Sequence, residues 1–144
     1  MIVKIEEVFT EEIKELRNES WIVVKLENGK KIELYHQGDH DFRKYVGKPL
    51  DCLISPWRLN NVNESLDPNK PSLKGIYLGK FIIPPRFKRI DREIWSGKLA
   101  SIKSNFQFFI IGHKIIENLG LTKGDAIKFN FLRYTLWDWT PIER

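Results

Sequence analysis

Residues 106–131, reading FQFFIIGHKIIENLGLTKGDAIKFNF, limit the fold more tightly than any other stretch of this chain. An apolar run leads into a two-turn helix in which Ile115, Ile116 and Leu119 share one face. Gly120 stands where a helix-ending residue must turn left-handed, and Leu121 follows as the residue able to touch Ile116 in a Schellman stop. Thr122-Lys123-Gly124-Asp125 then turns the chain. From there Ile127, Phe129 and Phe131 recur at every second position, the period of a strand with one buried face.

Upstream, the signals are mostly those of strands. Ile2 to Phe9 predicts a first strand. Thr10-Glu11-Glu12 predicts a helix start, a hydroxyl cap followed by two carboxylates, and that helix ends near Asn18. Trp21 to Leu26 and Lys31 to His36 flank Glu27-Asn28-Gly29-Lys30, the strongest hairpin signal in the chain. A two-residue Asn-Gly loop would set Leu26 beside Lys31 and Val24 beside Glu33, mixing polar and apolar residues on both faces. An odd-length loop that shifts the pairing by one residue sets Leu26 beside Ile32 and Val24 beside Leu34 on one face and Glu27 beside Lys31 and Lys25 beside Glu33 on the other, and this is the register expected. Asp39 to Val46 predicts a helical turn, Gly47 to Pro49 its stop, and Leu50 to Ser55 a strand. Pro56, Pro68 and Pro71 bracket a polar, asparagine-rich exposed loop. A strand over Leu73 to Ile83 ends at Pro84-Pro85, whose missing donors forbid central pairing.

In the last strand the apolar residues change phase, from odd positions through Phe131 to Leu132, Tyr134 and Leu136, and a bulge near Leu132 or Arg133 would reconcile the two halves. Trp137-Asp138-Trp139 follows, either as an aromatic cluster at the sheet's end or as the closed bottom of a core. The expected fold is mainly β (α+β), a small barrel or pseudobarrel of about seven or eight strands with two or three short helices. With 42% hydrophobic content, five Trp and nine Phe, 144 residues can fill one core, so residues 1–144 are expected to form a single domain. Within it the finest division is a β subdomain at 1–84 and a C-terminal unit at 95–139. No apolar run is long enough to cross a bilayer and the N-terminus is charged from its fourth residue, which predicts a cytoplasmic protein with no membrane partner. Cys52, the one cysteine, lies in the apolar stretch Leu50 to Ile54 as a small buried thiol.

The order of elements in residues 106–131 resembles the SpoVT/AbrB swapped-hairpin DNA-binding family and, more distantly, plant-type pseudobarrel DNA-binding domains. The family's apolar strand, short helix, Leu-Gly-Leu step, Gly-Asp turn and second strand are matched by Phe108 to Ile111, His113 to Leu119, Leu119-Gly120-Leu121, Gly124-Asp125 and Ala126 to Phe131. Gly112-His113 occupies the place where family members usually carry a proline. The resemblance implies a regulatory DNA-binding protein. Such a protein either forms a homodimer by exchanging hairpins or completes a monomeric pseudobarrel from its own N-terminal strands.

Charge points the same way. Between residues 80 and 103 seven basic residues stand against Asp91 and Glu93, and this segment carries the whole net charge of +5. Positive potential focused in this way is the footprint of a polyanion-binding surface. The candidate contacts are Arg86, Lys88, Arg89, Arg92, Lys98 and Lys103, with Trp95 interleaved. Duplex DNA is the favoured partner, and about four phosphate contacts would give a log-log salt slope of about −3.6. RNA or single-stranded nucleic acid is the alternative, with exposed members of Phe81, Phe87, Trp95, Trp137 and Trp139 stacking on bases. A protein-interaction module without nucleic acid is the third.

Catalytic patterns are absent: no phosphate-binding glycine loop, Gly-x-Ser-x-Gly elbow, His-Glu-x-x-His or cysteine pair occurs. No enzymatic activity, cofactor or metal is expected. The nearest approach to a metal set is His36, Asp39, His40 and Asp41, where Gly38 breaks the helix such a spacing needs and the aspartates serve as caps. His113 is expected to act as a helix cap or a phosphate contact.

Overall fold

The structure, a computed structural model, describes residues 1–13, 17–38 and 40–142, with 11–13, 17 and 18 as backbone alone. Among the described residues nine strands dominate: β1 (Ile2–Ile13), β2 (Arg17–Leu26), β3 (Lys31–Gln37), β4 (Pro49–Trp57), β5 (Ser72–Lys80), β6 (Leu99–Ser104), β7 (Gln107–Gly112), β8 (Ala126–Asn130) and β9 (Arg133–Pro141). The helices are short, α1 (Arg92–Trp95) and α2 (His113–Leu119), with a 3-10 turn at Phe42–Tyr45 in which the Arg43 amide donates to the capping Asp41 carboxylate. The mainly β barrel expected from the sequence is the fold observed.

Strands β1-β2-β3-β9-β4 close a five-stranded barrel, and β7-β6-β5-β8 form a second, open sheet. All barrel pairings are antiparallel except β3 with β9. The barrel therefore draws its fifth strand from the far end of the sequence, and the open sheet is an insert between the fourth and fifth strands. The sequence boundaries at 84 and 95 both fall inside this insert. One hydrophobic cluster nevertheless joins the two, running from Val3, Ile22 and Leu34 in the barrel to Phe109, Ile127 and Phe129 in the insert.

The helix stop and turn at residues 116–125 have the form expected. Gly120 is left-handed at φ 64°, its amide donates to the Glu117 carbonyl, and the Leu121 amide reaches the Ile116 carbonyl, the two bonds of a Schellman stop. The Asp125 carboxylate closes the turn on the Thr122 amide at 2.8 Å.

Three expectations are corrected. The helix expected after Thr10 is replaced by a long hairpin in which Phe9 pairs with Trp21 and Thr10 with Ser20; residues 14–16 of that expectation lie outside the described residues. A helix this short has no stability of its own, whereas each residue added to the ladder gains a cross-strand partner. The β2–β3 register also differs, with Val24 opposite Ile32 and Ile22 opposite Leu34. The loop is odd in length as expected, but it lies one residue earlier, at 27–29, closed by Leu26 and Lys30, with Gly29 left-handed at φ 84°. This is a type I turn with a glycine bulge, which Asn28-Gly29 satisfies as well as the two-residue turn. Lys25 thereby faces Lys31, and Glu6, bulged out of β1, answers the like charges with a 2.8 Å ion pair to Lys31. Finally, the change of phase after Phe131 is no bulge at Leu132 or Arg133. The chain leaves the insert at Asn130 and joins the barrel at Arg133, and the irregularity within β9 falls at Trp137, between the Leu136–Ile54 and Asp138–Leu53 pairs.

Gly75 marks where β5 and β6 lie closest. A methyl group there would come 2.5 Å from the Lys103 carbonyl oxygen and 2.8 Å from Ile102 Cγ2. Gly75→Ala is expected to lower stability by about 1–3 kcal/mol through forced separation of the strands, read as a shift in denaturation midpoint.

Candidate nucleic-acid interface

Because the β2–β3 loop is formed by residues 27–29, Trp21 and Tyr35 stand directly opposite each other on the outer face of the barrel. Alternation makes the inward neighbours Ile22 and Leu34 core and sets the two aromatic residues on the outer face, where Trp21 is half-buried and Tyr35, covered by Trp21 and Arg133, is buried at 6% exposure. Phe9 extends the row on β1, where it is 54% exposed, and Thr135 and Ser55 continue it across β9 and β4. One step along, Arg133 pairs with Trp57, which is 37% exposed.

These side chains form a ladder of rings and guanidinium groups. The Trp21 and Tyr35 ring centroids are 4.9 Å apart. The Arg133 guanidinium lies 3.7 Å from the Tyr35 centroid and 4.5 Å from that of Trp57, and Arg58 covers Trp57 at 4.4 Å. Planar guanidinium groups stack on aromatic faces and stay charged at any ordinary pH, so the ladder joins flat apolar surface to fixed positive charge. Tyr35 is oriented by its hydroxyl, which donates to Glu19 at 2.6 Å. Arg133 also lines a groove beside Lys30, Glu33 and Tyr134, leading toward the insert.

The basic segment is arranged differently. Arg86 pairs with Asp51 at 2.7 Å. Arg89 lies 4.0 Å from the Trp139 ring, and its Nη1 donates to the Trp139 carbonyl and to the Asp138 carboxylate. Arg92 donates to three carbonyls, those of Ile83, Pro84 and Phe87. These three arginines clasp residues 83–92 to themselves and to the barrel. Lys88 and Lys98 are exposed and make no side-chain hydrogen bond or ion pair among the described residues. Lys103 sits at the other end of β6 from Lys98, ~17 Å along an extended chain, so the segment does not present one continuous ridge. Trp95 packs on Trp137 at 4.7 Å against a second core cluster built on Phe87, Ile90 and Ile110, while Phe87 and Trp139 are fully buried.

The histidines are structural. His36 lies inside the barrel, its ring 5.1 Å from those of Phe42 and Trp139, with Nδ1 donating to the Leu136 carbonyl. Burial holds its pKa below the ordinary 6.5 against the effect of that hydrogen bond, and His40 and Arg89 act in the same direction as burial. The unfolded chain thus takes up a proton near the ordinary value and the native chain only at lower pH. Stability is full above that value and falls as the pH drops toward the native one, by at most about 1.4 kcal/mol per pH unit. Wild-type denaturation midpoints are expected to fall more between pH 7 and 5 than those of His36→Gln; parallel curves would contradict this.

No group of metal-ligating residues occurs among the described residues, Asp39 lying outside them. Both His113 nitrogens are engaged, one with the Tyr77 hydroxyl at 3.1 Å and one with Glu117 at 3.0 Å, so the ring ties α2 to β5. Burial pushes the Cys52 thiol up to about 12, far from the reactive range. Among the described residues no helix is long and apolar enough to cross a membrane. No protein family, curated protein or solved structure matches the chain.

Proposed function

We propose that the protein binds single-stranded nucleic acid on the outer face of β2 and β3, with bases stacked on Phe9, Trp21 and Trp57 and phosphates met by Arg133 and Arg58. The observation that carries this is the ladder itself, in which Phe9 and Trp57 stay exposed and Trp21 half-buried around a covered Tyr35, on a barrel face that gains little stability from solvated rings. Stacking on rings and guanidinium planes is how single strands are held, each base contributing about 1–3 kcal/mol. The strand order supports the same reading. Five strands closing as β1-β2-β3-β9-β4, with one parallel pairing and an insert before the last, follow the OB-fold barrel, whose strand 2–3 face serves oligonucleotides and oligosaccharides. That support is fold-level analogy and bears on ligand class alone.

Charge on this face is mixed, since Glu33 lines the groove and Glu19 holds Tyr35. Affinity then rests on stacking more than on counterion release, and two phosphate contacts give a log-log salt slope of about −1.4 for a single strand. Anisotropy titration with a short oligothymidylate is expected to give that slope, with a Kd raised about 5- to 150-fold by Trp57→Ala. Indifference to Trp57→Ala, or binding of oligosaccharide in place of the oligonucleotide, would overturn the proposal. Regulatory binding of duplex DNA, as the AbrB-like resemblance implies, is the second reading. Lys88 and Lys98, exposed and without an ion pair among the described residues, favour it, and a duplex preference with a slope near −3.6 would select it.

A further inference from the structure

We infer that the outer face of the insert sheet is a second contact surface for the same strand, with Lys74, Lys103 and Lys128 on its phosphates and Phe106 against a base. This rests on the proposed single-strand binding and extends it to a face with no counterpart in a bare five-stranded barrel.

The register fixes who shares the face. Phe108, Lys103, Ile76 and Ala126 form one row across all four strands, and Lys74 pairs with Lys128 in the next. No carboxylate stands in either row. Among the described residues none of the three lysines makes an ion pair, in contrast to Arg86 and Arg89. The large apolar members remain open to solvent: Phe108 is 49% exposed and Ile76 46%.

Phe106 is the sharpest feature. It sits at the tip of the β6–β7 hairpin, where Asn105 and Phe106 form a two-residue turn with φ of 47° and 65°. Such a turn needs positive φ at both positions and is ordinarily made by Asn-Gly. A bulky aromatic residue there is strained, and at 84% exposure it recovers nothing through burial. The Lys103 ammonium lies 5.4 Å from its ring and 5.8 Å from that of Phe108, so cation and stacking face are presented together. A cleft of about 340 Å³ lined by Lys30, Asn105, Gln107 and Tyr134 runs between insert and barrel, and Lys30 and Tyr134 also line the groove holding Arg133. One strand can therefore pass from the barrel ladder to the insert.

The test compares oligothymidylates of about 6 and about 20 nucleotides, a range that brackets one barrel's usual site size. The longer one is expected to show a salt slope steeper by about 2, since three more phosphates are met. The triple variant Lys74→Ala, Lys103→Ala, Lys128→Ala removes that increment without changing affinity for the shorter strand. Phe106→Gly raises thermal stability while weakening the longer strand's binding about tenfold. Equal slopes for both lengths overturn this inference and leave the barrel site standing. Binding of the longer strand alone, lost in the triple variant, sustains the insert surface and removes the barrel site. Lysine-dependent capture by anionic phospholipid vesicles, with no length effect on oligonucleotides, overturns it in favour of a membrane surface.

Discussion

Asp138→Ala is expected to destabilise the protein by about 3–5 kcal/mol, the largest effect of any single substitution considered. The Asp138 carboxylate is fully buried. One oxygen accepts from the Arg89 and Ile90 amides at 2.8 and 3.1 Å, the other from the Trp139 amide at 2.7 Å and, at 3.4 Å, from Arg89 Nη1. Removing it strands three backbone amides, and buried donors without acceptors are what make such losses large. Asp138→Asn is expected to be nearly as damaging, because the introduced NH₂ group would confront amides that also donate. Chemical denaturation measures the loss, and hydrogen exchange at the Arg89 and Ile90 amides locates it. Exchange there that stays as slow as in the wild type would contradict the account.

Asn130→Ala comes next, at about 3 kcal/mol. Asn130 is also fully buried, at the end of β8, and the long polar loop hangs from it. Its Oδ1 accepts from the Asp67 amide at 2.8 Å and from Asn61 Nδ2 at 2.9 Å. Its Nδ2 faces the Asp67, Pro71 and Lys70 carbonyls at 3.0, 3.2 and 3.4 Å. Backbone bonds run both ways between Asn60 and Asn130. Each bond contributes about 1 kcal/mol net, and several buried partners are orphaned together. Asn130→Asp separates volume from donors. It keeps the shape but sets a carboxylate oxygen against carbonyls, so it is expected to be at least as destabilising as alanine. A milder effect for aspartate would mean that the amide's donors are not what fixes residues 60–71.

These two residues show why some of the molecule was legible in the sequence and some was not. Gly120 could be read because its bonds to Glu117 and Ile116 are local, and the alternation of Ile127, Phe129 and Phe131 because period alone reports a buried face. The charge of residues 80–103 was equally visible, but the acceptors for Arg86 and Arg89 lie 35 and 49 residues away, at Asp51 and Asp138, where composition cannot find them. A short charged segment looks the same whether its arginines face solvent or clasp a loop.

The candidate site was missed for a related reason. The expected register sets Trp21 and Tyr35 apart, and only a loop at 27–29 in place of 28–30 brings them opposite each other. That register looks worse when two strands are weighed alone, since it sets Lys25 against Lys31. It is made acceptable by Glu6 on a third strand. Arg133 and Trp57 become neighbours only because the last strand closes the barrel.

The central claim is that single strands stack on the β2–β3 face. Zero-length photocrosslinking of the full-length protein to a short, photoactivatable single-stranded oligonucleotide tests it most directly, with the linked peptides identified by mass spectrometry. Links are expected at Trp21, Trp57 or Phe9, lost on competition with unlabelled single strand. Links confined to residues 86–98 would contradict it.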